Sequence, residues 1–577
     1  MNGVRVLQYA LFLGVVLALV QPVGRYLQRV FGGERTLLDP VLRPLERVIY
    51  RVGGVAPELE MDWRQYASAF LLFTTAGTLL LYGILRIQPL FHTFDPAFRP
   101  EPVAPDLAMN TAVSFATTTT WQAYGGETTL SYFSQVVGLV AQNFLAGAAG
   151  LAVGIAFIRG LARQHTRLLG NFWVDLVRAL LWVLLPVSAV GSLALVWQGT
   201  PLNFSAYETV PLLQATVDAS GKAVTTQLLP MGPVAALEFI KNLGTNGGGF
   251  FNANGAHPFA NPTPLTNLIT LLAIVVVPAA LTHTFGRMLG RPRQGWLLFW
   301  VMFALFAGGL LVCDWAEQQA APSMASVQAG GNLEGKETRF GIGASVLAAV
   351  ATSNGATGSY NAMHDSFTPL GGAVPLVNML LGEIVFGGLG TGLYSMVLVA
   401  LIAVFVAGLM VGRTPEYLGK QLTVVEMKLI ALSTVIGPIV VLGLAAVAVA
   451  TEAGRAGLTT NTGAHGFTEI LVAYASSLAN NGQTFAGLSA NSPFYNVSTA
   501  IAMVAGRFGL AVPALALAGR FAQQGRKPAR DGVLPTDTPL FAVLVIGAAL
   551  VVGALSYVPA LALGPIVEHL RLSSAVR

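Results

Sequence analysis

Ten stretches of the chain run for about 20 residues with almost no charge, the length a helix needs to cross a bilayer. They cover residues 4–20, 65–85, 131–158, 179–206, 264–286, 294–313, 384–412, 429–451, 492–519 and 538–567. A soluble fold has no interior large enough for this much apolar surface. Of 577 residues 54% are hydrophobic and 10% charged, against about 25% charged in soluble domains, and the mean hydropathy is +0.65. In lipid every backbone polar group must find its partner within the protein, which restricts spanning segments to helices or a closed barrel. Runs of this length predict an all-α polytopic membrane protein. The first run leads into Gln21-Pro22-Val23-Gly24-Arg25 rather than a small-residue cleavage site, so it reads as an uncleaved helix and not a signal peptide.

The basic residues fall in short clusters at 25–51, 159–178, 287–293, 413–428 and 520–530. Such clusters mark cytoplasmic loops, and the net charge of +5 is too small and too dispersed for a nucleic-acid surface. With all five clusters on the cytoplasmic side, each of the four intervals between them leaves and re-enters, using two helices. One further helix at each end again gives ten, with both termini outside. The lone cysteine, Cys313, lies in an apolar run and excludes an intrachain disulfide or a cysteine-rich metal site.

Each interval also holds one polar, glycine- or threonine-rich break between its two apolar runs, with a short helix-compatible segment before it (107–118, 234–243, 342–352 and 467–478). The most conspicuous break is LGTNGGGFFN at residues 243–252. Irregular backbone at membrane depth is tolerated only against protein or a water-filled cavity. Every interval therefore reads as span, pore helix, polar loop, span: four tandem repeats around one pseudo-fourfold pore, plus one extra helix at each end. This is the plan of a potassium channel written into one chain, in which backbone carbonyls replace the hydration shell of the ion. Lined up by composition, the filter cores are Thr120-Trp121-Gln122, Thr245-Asn246-Gly247, Ser353-Asn354-Gly355 and Asn480-Asn481-Gly482. Gln122 stands where the other three have glycine, so the fourfold geometry is approximate.

Arg507 falls near the middle of run 492–519. A charge at that depth costs at least about 2.5–3.5 kcal/mol and faces a cavity or a partner; there it would form a fixed positive charge below the filter. Glu383 interrupts the second span of the third repeat and is followed by Gly387, Gly388, Gly390 and Gly392. Two readings fit this cluster: a broken helix forming a gating loop across the pore, or close glycine-mediated helix packing. His257 with Asn252 and Asn254, and His364 with Asp365, read as loop hydrogen-bonding groups, since none has a metal ligand at helical spacing. The stretch Gly330 to Lys336 imitates GxxxxGK but continues with Glu337, no strand precedes it, and no soluble segment is long enough for a nucleotide domain. The chain is not expected to hydrolyse ATP alone.

Four motifs carry a resemblance over essentially the whole chain: GTNGGGFFNANGAHPFANPTP, MHDSFTPLGG, GRTPEYLGK and SLANNGQTFAGL. Together they resemble the A subunit of the bacterial potassium-transporting Kdp ATPase, in the superfamily of K+ transporters. The resemblance implies that extracytoplasmic K+ binds in the four-loop filter, that Arg507 lies below it and that the glycine cluster after Glu383 is the gate. It implies a P-type ATPase B subunit, where ATP is used, together with a single-span C subunit and a small F subunit. It further implies sideways exit of K+ toward the B subunit, and residence in a bacterial cytoplasmic (inner) membrane. The expected segments are 1–51 (extra helix and loop), 52–165, 166–290, 291–420 and 421–525 (the four repeats) and 526–577 (extra helix). A self-sufficient K+ channel or an ion-gradient-driven transporter is the alternative that composition and topology alone leave standing.

Overall fold

A computed structural model of the chain describes residues 3–94, 100–218, 220–319, 331–410, 412, 415–527 and 534–575. Of the positions singled out above, Gly330, Arg413, Thr414 and Arg530 lie outside the described residues. Ten helices among those described are long and apolar enough to cross a membrane: Gly3–Gly32, Trp63–Phe91, Ser134–Ala162, Phe172–Trp197, Pro264–Met288, Pro292–Glu317, Thr391–Met410, Val424–Ala450, Pro493–Gln523 and Pro539–Ser574. They are numbered here as spans one to ten. The chain is an all-α polytopic membrane protein; the strands among the described residues form two-stranded pairs such as Glu208–Val217 against Ala223–Leu229.

Local chemistry sets the span boundaries. Thr263, Ser492 and Thr538 cap the fifth, ninth and tenth spans, each accepting a backbone N–H on its side-chain oxygen and each followed by proline at the first helical position. Several helices run past their apolar stretches, the first to Gly32, the second to Phe91 and the tenth to Ser574, and two others are displaced. The fourth span runs Phe172–Trp197 rather than 179–206, because Gly199 takes φ +106° and Pro201 follows. The seventh starts at Thr391 rather than 384, because residues 381–390 are not helical.

Burial orders the bundle. In the third and fifth spans 89% and 78% of the apolar window is buried, so these two stand at the centre. The first, eighth and tenth bury only 22%, 17% and 22% and face outward. Small residues let the centre close: a Cβ on Gly154 of the third span would stand 2.6 Å from the Cα of Gly390.

The five basic clusters meet at one end. Arg287 donates to Gln28 (2.8 Å) and Arg178 pairs with Glu46 (3.1 Å). Arg159 forms a two-pronged bond to Asp175 (2.5 and 2.8 Å) and reaches the Phe31 carbonyl (3.1 Å). The buried Lys420 ammonium donates to the carbonyls of Arg163, Phe521 and Gln524 at 2.6–2.8 Å, tying three clusters together. One shared basic end is what an even number of spans between successive clusters requires.

Lys336, from the GxxxxGK look-alike, is a structural residue. Its ammonium lies 2.6 Å from Glu317 Oε2, both side chains fully buried, while Oε1 accepts from the Thr368 amide and hydroxyl at 2.7 Å each. The pair anchors the end of the sixth span to the loop region behind residue 331. Removing one partner strands a buried charge, so Lys336→Met is expected to cost about 3–5 kcal/mol. Thermal unfolding of the purified protein checks this; a midpoint equal to wild type would contradict it.

Candidate functional site

Between the paired spans, one short helix precedes each polar loop: Pro105–Ala116, Val234–Leu243, Gly341–Asn354 and Gly463–Leu478. All four stop in the same way. The second residue beyond each helix takes the left-handed conformation: Thr118 (φ 66°), Thr245 (φ 50°), Ala356 (φ 51°) and Asn480 (φ 53°). The next amide then reaches back to the carbonyl five residues earlier: Thr119 to Ser114 (2.9 Å), Asn246 to Lys241 (2.9 Å), Thr357 to Thr352 (3.1 Å) and Asn481 to Ser476 (2.9 Å). This is the Schellman termination, which normally puts glycine or asparagine at the left-handed position. Of the four residues there, only Asn480 is of a type that visits this region readily. Strain of this kind, about 1–3 kcal/mol per residue, clusters at ligand clamps.

The four loops close into a ring, each touching the next. Thr120 Oγ1 donates to the Asn246 carbonyl (2.5 Å), and the Gly249 amide donates to Gln122 Oε1 (2.7 Å), joining loops one and two. Gly247 pairs with Gly358 in a parallel bridge, and the Gly248 amide donates to the Gly358 carbonyl (3.2 Å). Asn481 Nδ2 donates to the carbonyls of Thr352 (3.0 Å) and Ser353 (3.2 Å), joining loops three and four. Asn480 Nδ2 donates to Thr119 Oγ1 (3.0 Å), which completes the circuit. Three positions in the ring need glycine. A Cβ on Gly247 (φ +95°) would stand 2.4 Å from the Gly358 nitrogen, one on Gly358 2.7 Å from the Asn481 oxygen, and one on Gly482 (φ +81°) 2.0 Å from the Thr119 oxygen.

Counted from the helix ends, the equivalent residues are 118–120, 245–247, 356–358 and 480–482. The compositional alignment places Thr245, Asn246, Gly247, Asn480, Asn481 and Gly482 in these positions. It is displaced in the other two loops. Ser353 and Asn354 belong to the last turn of their helix, where Ser353 Oγ donates to the Ala349 carbonyl (2.7 Å) and Asn354 Nδ2 to the Val350 carbonyl (3.0 Å), with Gly355 as the cap. Thr120 is in the ring, but Trp121 packs into the apolar core and Gln122 braces loop two. Thr118, Thr119, Ala356, Thr357 and Gly358 were not anticipated. The recurring polar-residue–glycine pair, at Asn246-Gly247, Thr357-Gly358 and Asn481-Gly482, is the sequence signal for the third loop.

Directly beneath lies a cavity of about 160 Å³ lined by all four left-handed residues, together with Glu383, Gly388, Leu389 and Arg507. It continues between the eighth and tenth spans, past Ser433, Thr434, Ser556 and Tyr557. Arg507 is buried. Its guanidinium donates to Thr118 Oγ1 (3.2 Å) and the Ala146 carbonyl (3.3 Å) and lies 5.6 Å from the Phe70 ring centre. At the glycine cluster the helix is broken, and Gly390 within the break also packs closely on the third span. Helices Pro369–Leu380 and Thr391–Met410 are separated by residues 381–390, which hold Glu383 (φ 59°), Gly387, Gly388 and Gly390 (φ 86°), while Gly392 opens the second helix. The break is moored to loop two through the Leu389 amide and Thr245 Oγ1 (2.9 Å).

The arrangement suits a cation and not an anion. Four helix C-termini, each carrying about half a negative charge in its carbonyls, converge on one ring. The two histidines near it are neutral: burial, then the charge of Arg339, pushes His257 down to about 4. Burial, then Lys336, pushes His364 down to about 3, and its Nδ1 lies 2.5 Å from Gln483 Nε2.

The family described as "Potassium-transporting ATPase A subunit" matches residues 10–570. A "Potassium-transporting ATPase potassium-binding subunit" of Sorangium cellulosum (strain So ce56) is 52% identical over 98% of this chain and 99% of its own length. The protein of the same description from Methylobacterium nodulans is 54% identical over 98% and 97%, and that from Herpetosiphon aurantiacus 51% identical over 98% and 99%.

Proposed function

The chain belongs to the family of potassium-transporting ATPase A subunits, and on that premise we propose that it is the K+-binding, channel-like subunit of an ATP-driven uptake complex. The observation that carries the site assignment is the ring of four identically terminated loops over a single cavity. Its selectivity filter is residues 118–120, 245–247, 356–358 and 480–482. A cation stripped of water needs oxygen ligands in its place, and backbone carbonyls supply them without burying a full negative charge. Rigidity of the ring, bonded loop to loop, sets the size of ion that is accepted.

Arg507 stands below the filter as a fixed positive charge and keeps cations from running straight through; Glu383 and the broken segment 381–390 gate the same space. Ions then leave sideways, along the hydroxyl-lined extension of the cavity between the eighth and tenth spans, toward a P-type ATPase B subunit that uses ATP. This chain itself does not hydrolyse ATP. C and F subunits complete the assembly in a bacterial inner membrane, with both termini extracytoplasmic. The segments 52–165, 166–290, 291–420 and 421–525 are its four repeats, each holding one ring loop and the short helix that precedes it, flanked by 1–51 and 526–577.

Gly482→Ala forces a side chain against the Thr119 oxygen. The K+ concentration giving half-maximal ATPase stimulation of the purified complex should rise by about tenfold or more, equivalent to about 1.4 kcal/mol. Gly547→Ala is the control, since a Cβ there meets nothing within 4 Å. An unchanged half-saturation in Gly482→Ala would remove the loop from the filter. Arg507→Ala should lower the K+ transported per ATP consumed, measured in proteoliposomes holding the whole complex, while Arg507→Lys retains most of it. Wild-type stoichiometry in Arg507→Ala would dismiss the fixed-charge role. Rapid K+ flux through the wild-type chain reconstituted alone would overturn the pump-subunit reading.

A further inference from the structure

Outside the ring, two segments distant in sequence bring Asp365, His465 and Glu469 together, with one ligand atom of each within 4.8 Å of the others. His465 and Glu469 lie at i and i+4 on the fourth short helix, and Asp365 lies in the turn after the third loop. That helical spacing puts an imidazole and a carboxylate on one face, and the second segment supplies an opposing carboxylate.

The imidazole is already oriented. His465 Nδ1 lies 2.7 Å from Glu568 Oε1, which leaves Nε2 facing Asp365 Oδ1 (3.0 Å) and Glu469 Oε1 (4.0 Å). A carboxylate on the outer ring nitrogen, with the inner nitrogen turned toward carboxylates, is the carboxylate–histidine–metal arrangement in which the outer partner fixes tautomer and ring orientation. Independently of these contacts, the Glu469 side chain is fully buried and its Oε2 has no hydrogen-bond partner. A half-satisfied buried carboxylate is costly, and three carboxylates around one imidazole keep excess negative charge even with His465 protonated. Asn461 Nδ2 supplies one neutral donor, to Glu469 Oε1 (2.8 Å) and Asp365 Oδ2 (3.3 Å), and does not balance that charge.

We propose that Asp365, His465 and Glu469 form a binding site for a first-row divalent cation, with Glu568 orienting His465. One nitrogen and two carboxylate ligands match zinc or its neighbours, whose bonds to these atoms run to about 2.0–2.2 Å. Mg2+ and Ca2+ take oxygen ligands and fit less well. A bound metal fastens the turn behind the third ring loop to the helix that ends in the fourth. The site is adjacent to the ring, since His364, next to Asp365, contacts Gln483, next to Gly482.

Calorimetric titration of the chelator-stripped, detergent-purified complex with ZnCl2 tests the proposal. Wild type should take up one more equivalent of Zn2+ than either His465→Gln or Glu469→Gln, with the same equivalent weakened by tenfold or more in Glu568→Gln. X-ray absorption of the loaded wild type should show a mixed nitrogen and oxygen shell. Retained K+-stimulated ATPase in the variants shows that they are folded, and a Zn2+-dependent rise in melting temperature confined to wild type is the second readout. Equal uptake and equal affinity in wild type and both ligand variants, or no saturable uptake in any, would overturn it.

Discussion

The constraint on which everything else depends is the need to end a helix inside a membrane protein without leaving its carbonyls unpaired. The four short helices meet it in the same way, with a left-handed residue at Thr118, Thr245, Ala356 and Asn480 and a bond back to the fifth carbonyl before. That turn satisfies part of the helix end and redirects the following backbone across the axis of the bundle. Four such turns close only because the loops touch, and the contacts are so tight that Gly247 and Gly482 leave no room for a Cβ. Chemistry at the ring is thus a by-product of a backbone problem solved four times.

Charge is distributed around that ring with an evident division of labour. Several buried charges away from the cavity are paired: Lys336 with Glu317, Arg159 with Asp175, Lys420 with three carbonyls. Two that line the cavity are only partly bonded. Arg507 leaves Nε without a partner and Glu383 leaves Oε1 without one, both lining the cavity beneath the loops. Buried charges that hold a fold together are fully bonded, because an unpaired one is costly; charges left partly unsatisfied in a cavity are available to act on what passes through.

The spans were legible because each is a long charge-free run. The existence of the loops was legible from their polar residues, and Arg507 stood out by its depth in an apolar run; the glycine cluster after Glu383 left a break and close helix packing equally open. The register of two loops was not, and the reason lies in side chains of double character. Ser353 and Asn354 look like loop residues, yet each bonds a carbonyl of the preceding turn and stays helical, the back-bonding open to serine and asparagine. In the first loop four successive threonines, Thr117 to Thr120, hide the helix end altogether. The His465 cluster was invisible for another reason: Asp365 and Glu568 stand 100 and 103 positions away, and no local pattern predicts that meeting.

The ring is tested most directly by locating the ion. Crystals or frozen grids of the complete complex, prepared with Tl+ or Rb+ in place of K+, should show heavy-ion density on the axis between residues 118–120, 245–247, 356–358 and 480–482. That density should fade in Gly482→Ala at the same ion concentration. Ordered ion density elsewhere in the chain, with the space between the four loops empty at saturating Tl+, would contradict the account.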